Sequence, residues 1–230
     1  LGNVIGSNIF NVAVVAGVCA VIMPYVVDEI IFKRDLPICI GITALLAIFM
    51  YDGQIALWEA ITLLVLFAGY IFMTVIHAMK HRTQEKTEEE NTRKPIISVL
   101  FIIGGLAAVI FGGQLVVDNA SKIAVSLGMS QRLVALTIVA IGTSLPELVT
   151  SIVAAKKGDS GLAMGNVVGS NIFNILFILG SSATLHPIAV ASDAMIDVIV
   201  CFAIAVFAFI AVAISKKKLN RIAGVILLLA

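Results

Sequence analysis

The chain has 230 residues, of which 60% are hydrophobic and only 13% are charged, and its formal net charge is +1. A soluble domain of this size could not cover its surface with so few charged side chains. The near-neutral charge and the lack of a basic patch also argue against a nucleic-acid partner.

The apolar residues fall into runs long enough to cross a lipid bilayer, which takes about 20 residues. In chain order, we predict spans at 2–27, 36–51, 55–79, 95–117, 131–155, 162–185, 194–214 and 219–230. The second of these spans is short, and the last stops early at Ala230. The sequence therefore predicts an all-α polytopic membrane protein.

One polar stretch divides the predicted spans into two blocks, 1–79 and 95–230. Residues 80–94 read KHRTQEKTEEENTRK, which is typical of a solvated connector. If this linker is cytoplasmic and the spans alternate, the inner loops hold 13 of the 15 lysines and arginines, and only Lys122 and Arg132 lie outside. The positive-inside rule therefore predicts a cytoplasmic linker in a multi-pass protein of the plasma or inner membrane.

A ten-residue phrase occurs twice in the chain. Residues 2–11 read GNVIGSNIFN and residues 165–174 read GNVVGSNIFN, so that nine of ten positions are identical at an offset of 163. Counting spans between the copies makes them cross the membrane in opposite directions. Inverted repeats are the architecture of many secondary transporters, whose site lies near the midplane where the repeats meet.

The position of the first copy also bears on the extent of the chain. Residue 1 is Leu, and the first phrase follows it directly, whereas about 70 residues of the second block precede the second copy. We therefore expect the chain to be a piece of a longer protein, truncated at both ends.

A second informative segment lies at 139–155, VAIGTSLPELVTSIVAA. Glu147 is a carboxylate at membrane depth, which is costly unless it meets a cation, a proton or a polar cavity. Thr143 and Glu147 are four residues apart and would share one helix face, with Ser144 beside them. Gly142 and Pro146 weaken the helix there, and this would free the carbonyls of Ala140, Ile141 and Gly142. Hydroxyl, carboxylate and carbonyl oxygens are the ligands that hard cations prefer.

The repeated phrase contributes further oxygen atoms. In each copy, three polar residues follow one another at intervals of four and form one stripe along a helix. They are Asn3, Ser7 and Asn11 in the first copy, and Asn166, Ser170 and Asn174 in the second. Ser7, Asn11, Ser170 and Asn174 are candidate ligands, whereas Asn8 and Asn171 are expected to tie helices together. The phrase also contains G-x-x-x-G, at Gly2 and Gly6 and at Gly165 and Gly169, which predicts close helix packing.

The segments GTSLPELVTSIVAA at 142–155 and GNVVGSNIFNILFILG at 165–180 resemble the two halves of the alpha-repeat of the sodium/calcium exchanger family, within the calcium/cation antiporters. The resemblance implies ten helices in two inverted repeats of five. This chain would then hold about helices three to ten. The first repeat would be truncated at 1–79, the linker would be 80–94, and the second repeat would be 95–230 with its last helix cut.

The resemblance also implies a set of residue roles. Glu147 would be a central carboxylate shared by Ca²⁺ and Na⁺, with Thr143, Ser144 and the Ala140 carbonyl as neighbouring ligands. Two serines and two asparagines would complete the site: Ser7 and Ser170 would help to bind Na⁺, and Asn11 and Asn174 would lie beside the central position. A matching motif with its own glutamate would precede Leu1. The ions are transported substrates, and no cofactor is implied.

Several functions stay open at this point. Proton-coupled relatives typically carry an acid in the pattern G-N-x-x-E, where this chain has Gly6 and Gly169, so the resemblance favours sodium over protons as the driving ion. Some members carry aspartate where this chain has Asn174, and both Asn11 and Asn174 are neutral here, so the resemblance also disfavours potassium co-transport. The alternatives are a calcium/proton antiporter, a cation channel, or a membrane scaffold without transport. An enzyme is not expected, because the sequence has no nucleophile and base pattern.

Overall fold

The computed structural model describes residues 1–81, 95–130, 134, 138, 140–191 and 194–230. The structure does not describe residues 82–94, which are most of the predicted linker. Within the predicted span 131–155, residues 131–133, 135–137 and 139 also lie outside the described residues, and Arg132 is one of them.

The described part of the chain is built from helices. It contains six helices that are long and apolar enough to cross a membrane. In chain order the helices are α1 (Gly2–Ile22), α2 (Ile31–Asp52), α3 (Leu57–His81), α4 (Pro95–Ser126), α5 (Leu145–Lys156), α6 (Gly161–Leu185), α7 (Ala194–Ile214) and α8 (Arg221–Leu229). Two of them contain π-helical segments at matching positions of the repeat, Asn11–Ala16 in α1 and Asn174–Leu179 in α6.

Three predicted boundaries are wrong. Helix α1 ends at Ile22 rather than at 27, because Met23 is extended before Pro24, as residues that precede proline prefer. Helix α2 begins at Ile31 rather than at 36, so that Lys33 lies in a helical turn and not in a loop.

Helix α4 runs to Ser126 rather than ending at 117. It ends where Gly128 takes a left-handed conformation with φ of 92°. The N–H of Gly128 donates to the carbonyl of Val125 and the N–H of Met129 to that of Ala124, both at 3.0 Å, which is a Schellman motif. Asp118 therefore lies about two turns inside the helix and not at its end.

Two small β-ribbons join the repeats to each other. Strand β1 (Tyr25–Val26) pairs with β4 (Lys218–Leu219), and β2 (Gln54–Ile55) pairs with β3 (Ile188–Ala189), both antiparallel. The first strand of each repeat thus pairs with the second strand of the other repeat. This reciprocal exchange is what a two-fold relation between the repeats requires, and the two ribbons lie at opposite ends of α2.

Close helix contacts follow the same symmetry. A Cβ atom on Gly17 of α1 would lie 3.0 Å from the carbonyl oxygen of Gly224 in α8. At the matching position of α6, a Cβ atom on Gly180 would lie 3.2 Å from Leu63 and Leu64 of α3. The glycines therefore let α1 pack closely on α8 and α6 on α3.

The glycines of the repeated phrase behave differently. Within the described part of the chain, a Cβ atom on Gly2, Gly6 or Gly169 would meet nothing within 4 Å. A Cβ atom on Gly165 would meet only Ile31, at 3.6 Å. The close packing that G-x-x-x-G predicts is therefore absent at these glycines among the described residues.

Candidate cation-binding site

The helix that precedes the candidate site is interrupted. Ala140–Gly142 form one helical turn, Thr143 and Ser144 form a turn, and α5 starts at Leu145 with Pro146 in its first turn. Thr143 and Glu147 therefore do not lie on one continuous helix, as the four-residue spacing predicted. The Ser144 N–H donates to the carbonyl of Ile141 at 3.0 Å, so this carbonyl is not freed as expected.

Gly142 brings α4 against this interruption. A Cβ atom on Gly142 would overlap the Val117 side chain of α4. The sequence predicted that Gly142 weakens the helix, but it gave no sign that Gly142 also leaves room for Val117 of α4. A glycine four residues before a proline in a membrane helix indicates a bend, whereas the helix that packs against the glycine can be known only from the fold.

Glu147 occupies the first turn of α5 and is half-buried. The partial positive charge at the N-terminus of a helix favours the ionised carboxylate at this place, whereas the burial of the side chain disfavours its charge. Its Oε2 atom is buried and has no hydrogen-bond partner among the described residues. A buried acceptor without a donor is costly, so this oxygen suits a cation or a proton.

A contact between the repeats lies at the helix interruption that precedes α5. The hydroxyl oxygens of Ser7 in α1 and Thr143 are 3.3 Å apart, and either can donate. The first part of α1 packs against the turn Ala140–Gly142, while its π-helical segment packs against α5. The structure thus brings Ser7 and Thr143 together, two predicted ligands that are 136 residues apart in sequence.

Asparagines form a reciprocal hydrogen-bond layer between α1 and α6. The Asn8 amide donates to the Asn171 carbonyl at 3.2 Å, and the Asn171 amide donates to the Asn8 carbonyl at 3.0 Å. Asn11 donates to Oδ1 of Asn171 and Asn174 donates to Oδ1 of Asn8, each at 3.0 Å. Asn8 and Asn171 therefore tie the helices as expected, and Asn11 and Asn174 use their amide groups in the same layer.

Asn11 keeps one atom available for a ligand. Its Oδ1 is buried and has no hydrogen-bond partner in the described part of the chain. Because its amide group is held by Asn171, the oxygen has a fixed direction. Asn11 can therefore serve as a helix tie and as an oxygen ligand at once.

The remaining predicted ligands occupy other surroundings. Ser144 is buried in the turn before α5. Ser170 borders an open groove of about 310 Å³ together with Gly165, Asn166 and Gly169. In the described part, no hydrogen bond joins Ser170 to Thr143 or to Glu147. Ala140 lies in the helical turn that contacts α1.

Asn166 connects α6 to α5. Its amide nitrogen lies 2.9 Å from the Thr150 hydroxyl, 3.0 Å from the Ser151 hydroxyl and 3.2 Å from the Glu147 carbonyl oxygen. This residue therefore fixes the direction of the helix that carries the carboxylate.

The site can hold hard cations on oxygen atoms. A carboxylate, two hydroxyl groups in contact and an amide oxygen with no donor are the ligand types that Ca²⁺ and Na⁺ prefer. The helix interruption makes such groups available at membrane depth, where irregular backbone is tolerated beside a cavity.

The chain matches the sequence description of the sodium/calcium exchanger protein family over residues 1–76 and 97–230. It is 35% identical to the inner membrane protein YrbG of Escherichia coli over 81% of the chain, and it spans 60% of the length of that relative. It is also 35% identical to the putative antiporter CaxA of Alkalimonas amylolytica, over the whole chain and 75% of the relative.

A solved structure shares the fold. The sodium-calcium exchanger NCX_Mj, soaked with zero Na⁺ and Ca²⁺, superposes with a TM-score of 0.82 at 31% sequence identity. The match covers 99% of this chain and 72% of the NCX_Mj chain. The described helices thus form a multi-pass membrane protein with the inverted-repeat architecture of a transporter. The match over both repeats, which includes the motifs around Glu147 and Asn171, shows that this chain belongs to the sodium/calcium exchanger family.

Proposed function

We propose that this chain is the larger part of a secondary antiporter that exchanges Na⁺ for Ca²⁺ across a membrane. The observation that carries the proposal is the meeting of the two repeats at Ser7 and Thr143, whose hydroxyl oxygens are 3.3 Å apart. Thr143 lies in the turn before α5, whose first turn carries Glu147, and Oε2 of Glu147 is buried without a partner among the described residues. NCX_Mj is described as a sodium-calcium exchanger, and its likeness over 99% of the chain supports the same activity here.

The predicted site residues would bind different ions according to the oxygen groups that they offer. Glu147 would be shared by Ca²⁺ and Na⁺, with Thr143, Ser144 and the carbonyl of Ala140 as further ligands. Ser7 and Ser170 would bind Na⁺, one from each repeat. Asn11 and Asn174 would lie beside the central position, each directed by its hydrogen bond in the asparagine layer.

The exchange would proceed by alternating access. An ion-free site with an ionised Glu147 is costly to move past apolar helix surfaces, because a charge loses its hydration there. Binding of Ca²⁺ or of several Na⁺ neutralises the carboxylate and lowers this cost. The two fluxes are then coupled, because only a loaded site changes sides.

Sodium is favoured over protons as the driving ion. A proton cycle needs protonatable groups at the site, and the positions at which an acid would stand in the phrase are Gly6 and Gly169. A Cβ atom at either glycine would meet nothing within 4 Å in the described part of the chain. An acid could therefore be accommodated, and its absence from the sequence is the argument for sodium.

The test is calcium uptake into vesicles that contain the native full-length protein, loaded with Na⁺ and diluted into Na⁺-free buffer. We expect uptake that requires the sodium gradient and persists with a proton ionophore. Uptake that ignores sodium and follows a pH gradient would instead establish calcium/proton exchange. Single-channel currents without a dependence on the gradient would establish a channel.

A further inference from the structure

A second cavity lies beside the candidate site, between α4 and the helix interruption. It has a volume of about 440 Å³, and its wall includes Gly142, Thr143 and Pro146 from the interruption. Because Thr143 also contacts Ser7, the cavity reaches the place where the two repeats meet.

The opposite wall is a polar stripe on α4. Gln114, Asp118 and Ser121 are spaced at i, i+4 and i+7, which places them on one helix face, and all three line the cavity. Among the described residues that line the cavity, Asp118 is the only one with a carboxylate. Residues 99–113 of α4 are apolar or glycine, and the polar residues of its last third include Asn119 and Lys122, which do not line the cavity. Gln114, Asp118 and Ser121 are the polar residues that face the interruption across the cavity.

Asp118 and Ser121 of this stripe keep oxygen atoms without a hydrogen-bond partner among the described residues. The Asp118 carboxylate has no hydrogen bond or ion pair with the described residues, although Lys122 follows one turn later on the same helix. The Oγ atom of Ser121 is buried and without a hydrogen-bond partner in the same part of the chain. These oxygen atoms are therefore available to a hydrated cation in the cavity.

We propose that Asp118, with Gln114 and Ser121, forms a capture site that concentrates Ca²⁺ at the entrance to the central site on the membrane side where α4 ends. The proposal rests on the exchange function proposed above. A carboxylate at the mouth of a low-dielectric cleft raises the local concentration of cations and speeds their entry. Asp118 acts on arrival of the ion, whereas Glu147 acts on its binding and transport.

The experiment is calcium uptake by the full-length protein at low ionic strength, with Ca²⁺ supplied from the side where α4 ends. Asp118→Asn is expected to raise the half-saturating Ca²⁺ concentration about three- to fivefold, the effect of one carboxylate on a divalent ion at about 10 Å in water. The maximal rate should stay unchanged. The difference should disappear at about 1 M choline chloride, where the screening length falls to about 3 Å.

Two further variants make the result specific. Asp52→Asn removes the same charge from an exposed turn, on the same side by span count, outside the cavity, and it should behave as the unaltered protein. Asp118→Glu retains the charge and should restore low half-saturation, which separates capture from a folding defect.

Either of two results would overturn the proposal. If Asp118→Asn matches Asp52→Asn while the unaltered protein transports normally, the capture site is wrong and the exchange function stands. If the unaltered protein shows no sodium-driven calcium uptake, both the exchange function and the capture site are wrong.

Discussion

At the scale of single residues, Glu147 concentrates the chemistry of the site. It lies in the first turn of α5, where the helix terminus favours a negative charge, and one of its oxygen atoms is buried without a partner. The helix interruption at Thr143 and Ser144 places hydroxyl groups directly before it. A carboxylate in this setting is suited to a cation that can be exchanged.

Replacing Glu147 by Gln should preserve the fold and weaken calcium transport. Gln keeps the size of the side chain but removes the charge that balances Ca²⁺, so we expect at least a tenfold loss of apparent affinity, about 1.4 kcal/mol. Sodium-driven calcium uptake measures the effect, and gel-filtration profiles in detergent check the fold. Glu29→Gln, at an exposed carboxylate outside the site, is the control. Unchanged affinity in Glu147→Gln would remove this residue from the site.

Asn8 and Asn171 form the other residue-scale feature, since each donates to the main chain of the other. Each also accepts from the neighbouring asparagine of the opposite repeat. Replacing either by Ala leaves equivalent buried donors and acceptors without partners, which costs about 1–3 kcal/mol.

We therefore expect Asn8→Ala and Asn171→Ala to lower the melting temperature in detergent by similar amounts. Ile9→Ala changes a partly buried apolar neighbour in α1 and serves as a control for packing alone. A large effect of one asparagine variant and none of the other would contradict the reciprocal layer.

At the scale of elements, glycines decide which helices approach each other closely. Gly17 and Gly224 bring α1 and α8 into backbone contact, and Gly180 brings α6 against α3. The two contacts are related by the repeat, although only Gly17 and Gly180 are matched in the sequence. In both repeats, a glycine at the matched position thus allows a close helix contact. These contacts hold α1 and α6 in place where their polar stripes meet.

Gly224→Ala should destabilise the protein, because the new Cβ would lie 2.8 Å from the carbonyl oxygen of Gly17 and 2.9 Å from Cβ of Ala20. Overpacking of this kind costs about 1–3 kcal/mol. Gly41→Ala is the matched control, since its Cβ would meet nothing within 4 Å, and Ala is the better helix former by about 1 kcal/mol. Melting temperatures should therefore fall for the first variant and stay equal or rise for the second.

At the scale of the whole molecule, the two ribbons link the repeats at opposite ends of the helices. Strands β1 and β4 meet at one end, with Lys217 and Lys33 both paired to Glu29 beside them. The hydrogen bond from Lys33, and then the charge of Lys217, hold the pKa of Glu29 below its usual range. A lysine from each repeat thus lies at this end, and the ribbon of β2 and β3 lies at the other.

The gathering of lysines predicts the orientation of the protein. We expect the end with β1 and β4 to face the cytoplasm and the end with β2 and β3 to face outward. In intact cells, a membrane-impermeant maleimide should label Tyr51→Cys, at an exposed position next to β2, and should label Lys216→Cys only after permeabilisation.

The native thiols Cys19, Cys39 and Cys201 are all buried, so background labelling should be low. The reverse pattern of labelling would invert the orientation and place the linker 80–94 outside.

The sequence alone determined the class of protein and its internal symmetry. Long apolar runs require a bilayer, and they can be read directly from the amino-acid composition. The near-identity of residues 2–11 and 165–174, at an offset of 163, predicts repeated halves. The sequence also predicts a role for Glu147 at the site, since an unpaired carboxylate at membrane depth needs a chemical reason. The helix-tying role of Asn8 and Asn171 followed from their place outside the polar stripe.

Only the tertiary structure decided which groups meet. The contact of Ser7 with Thr143, the overlap of a side chain at Gly142 with Val117, and the cavity beside Asp118 join segments far apart in the chain. The end of α4 at Ser126 is set by the Schellman hydrogen bonds of Gly128 and Met129, and hydropathy rises and falls too slowly along the chain to fix such a boundary. Spacing within one helix predicts a shared face, but the partner of that face is set by how separate helices pack.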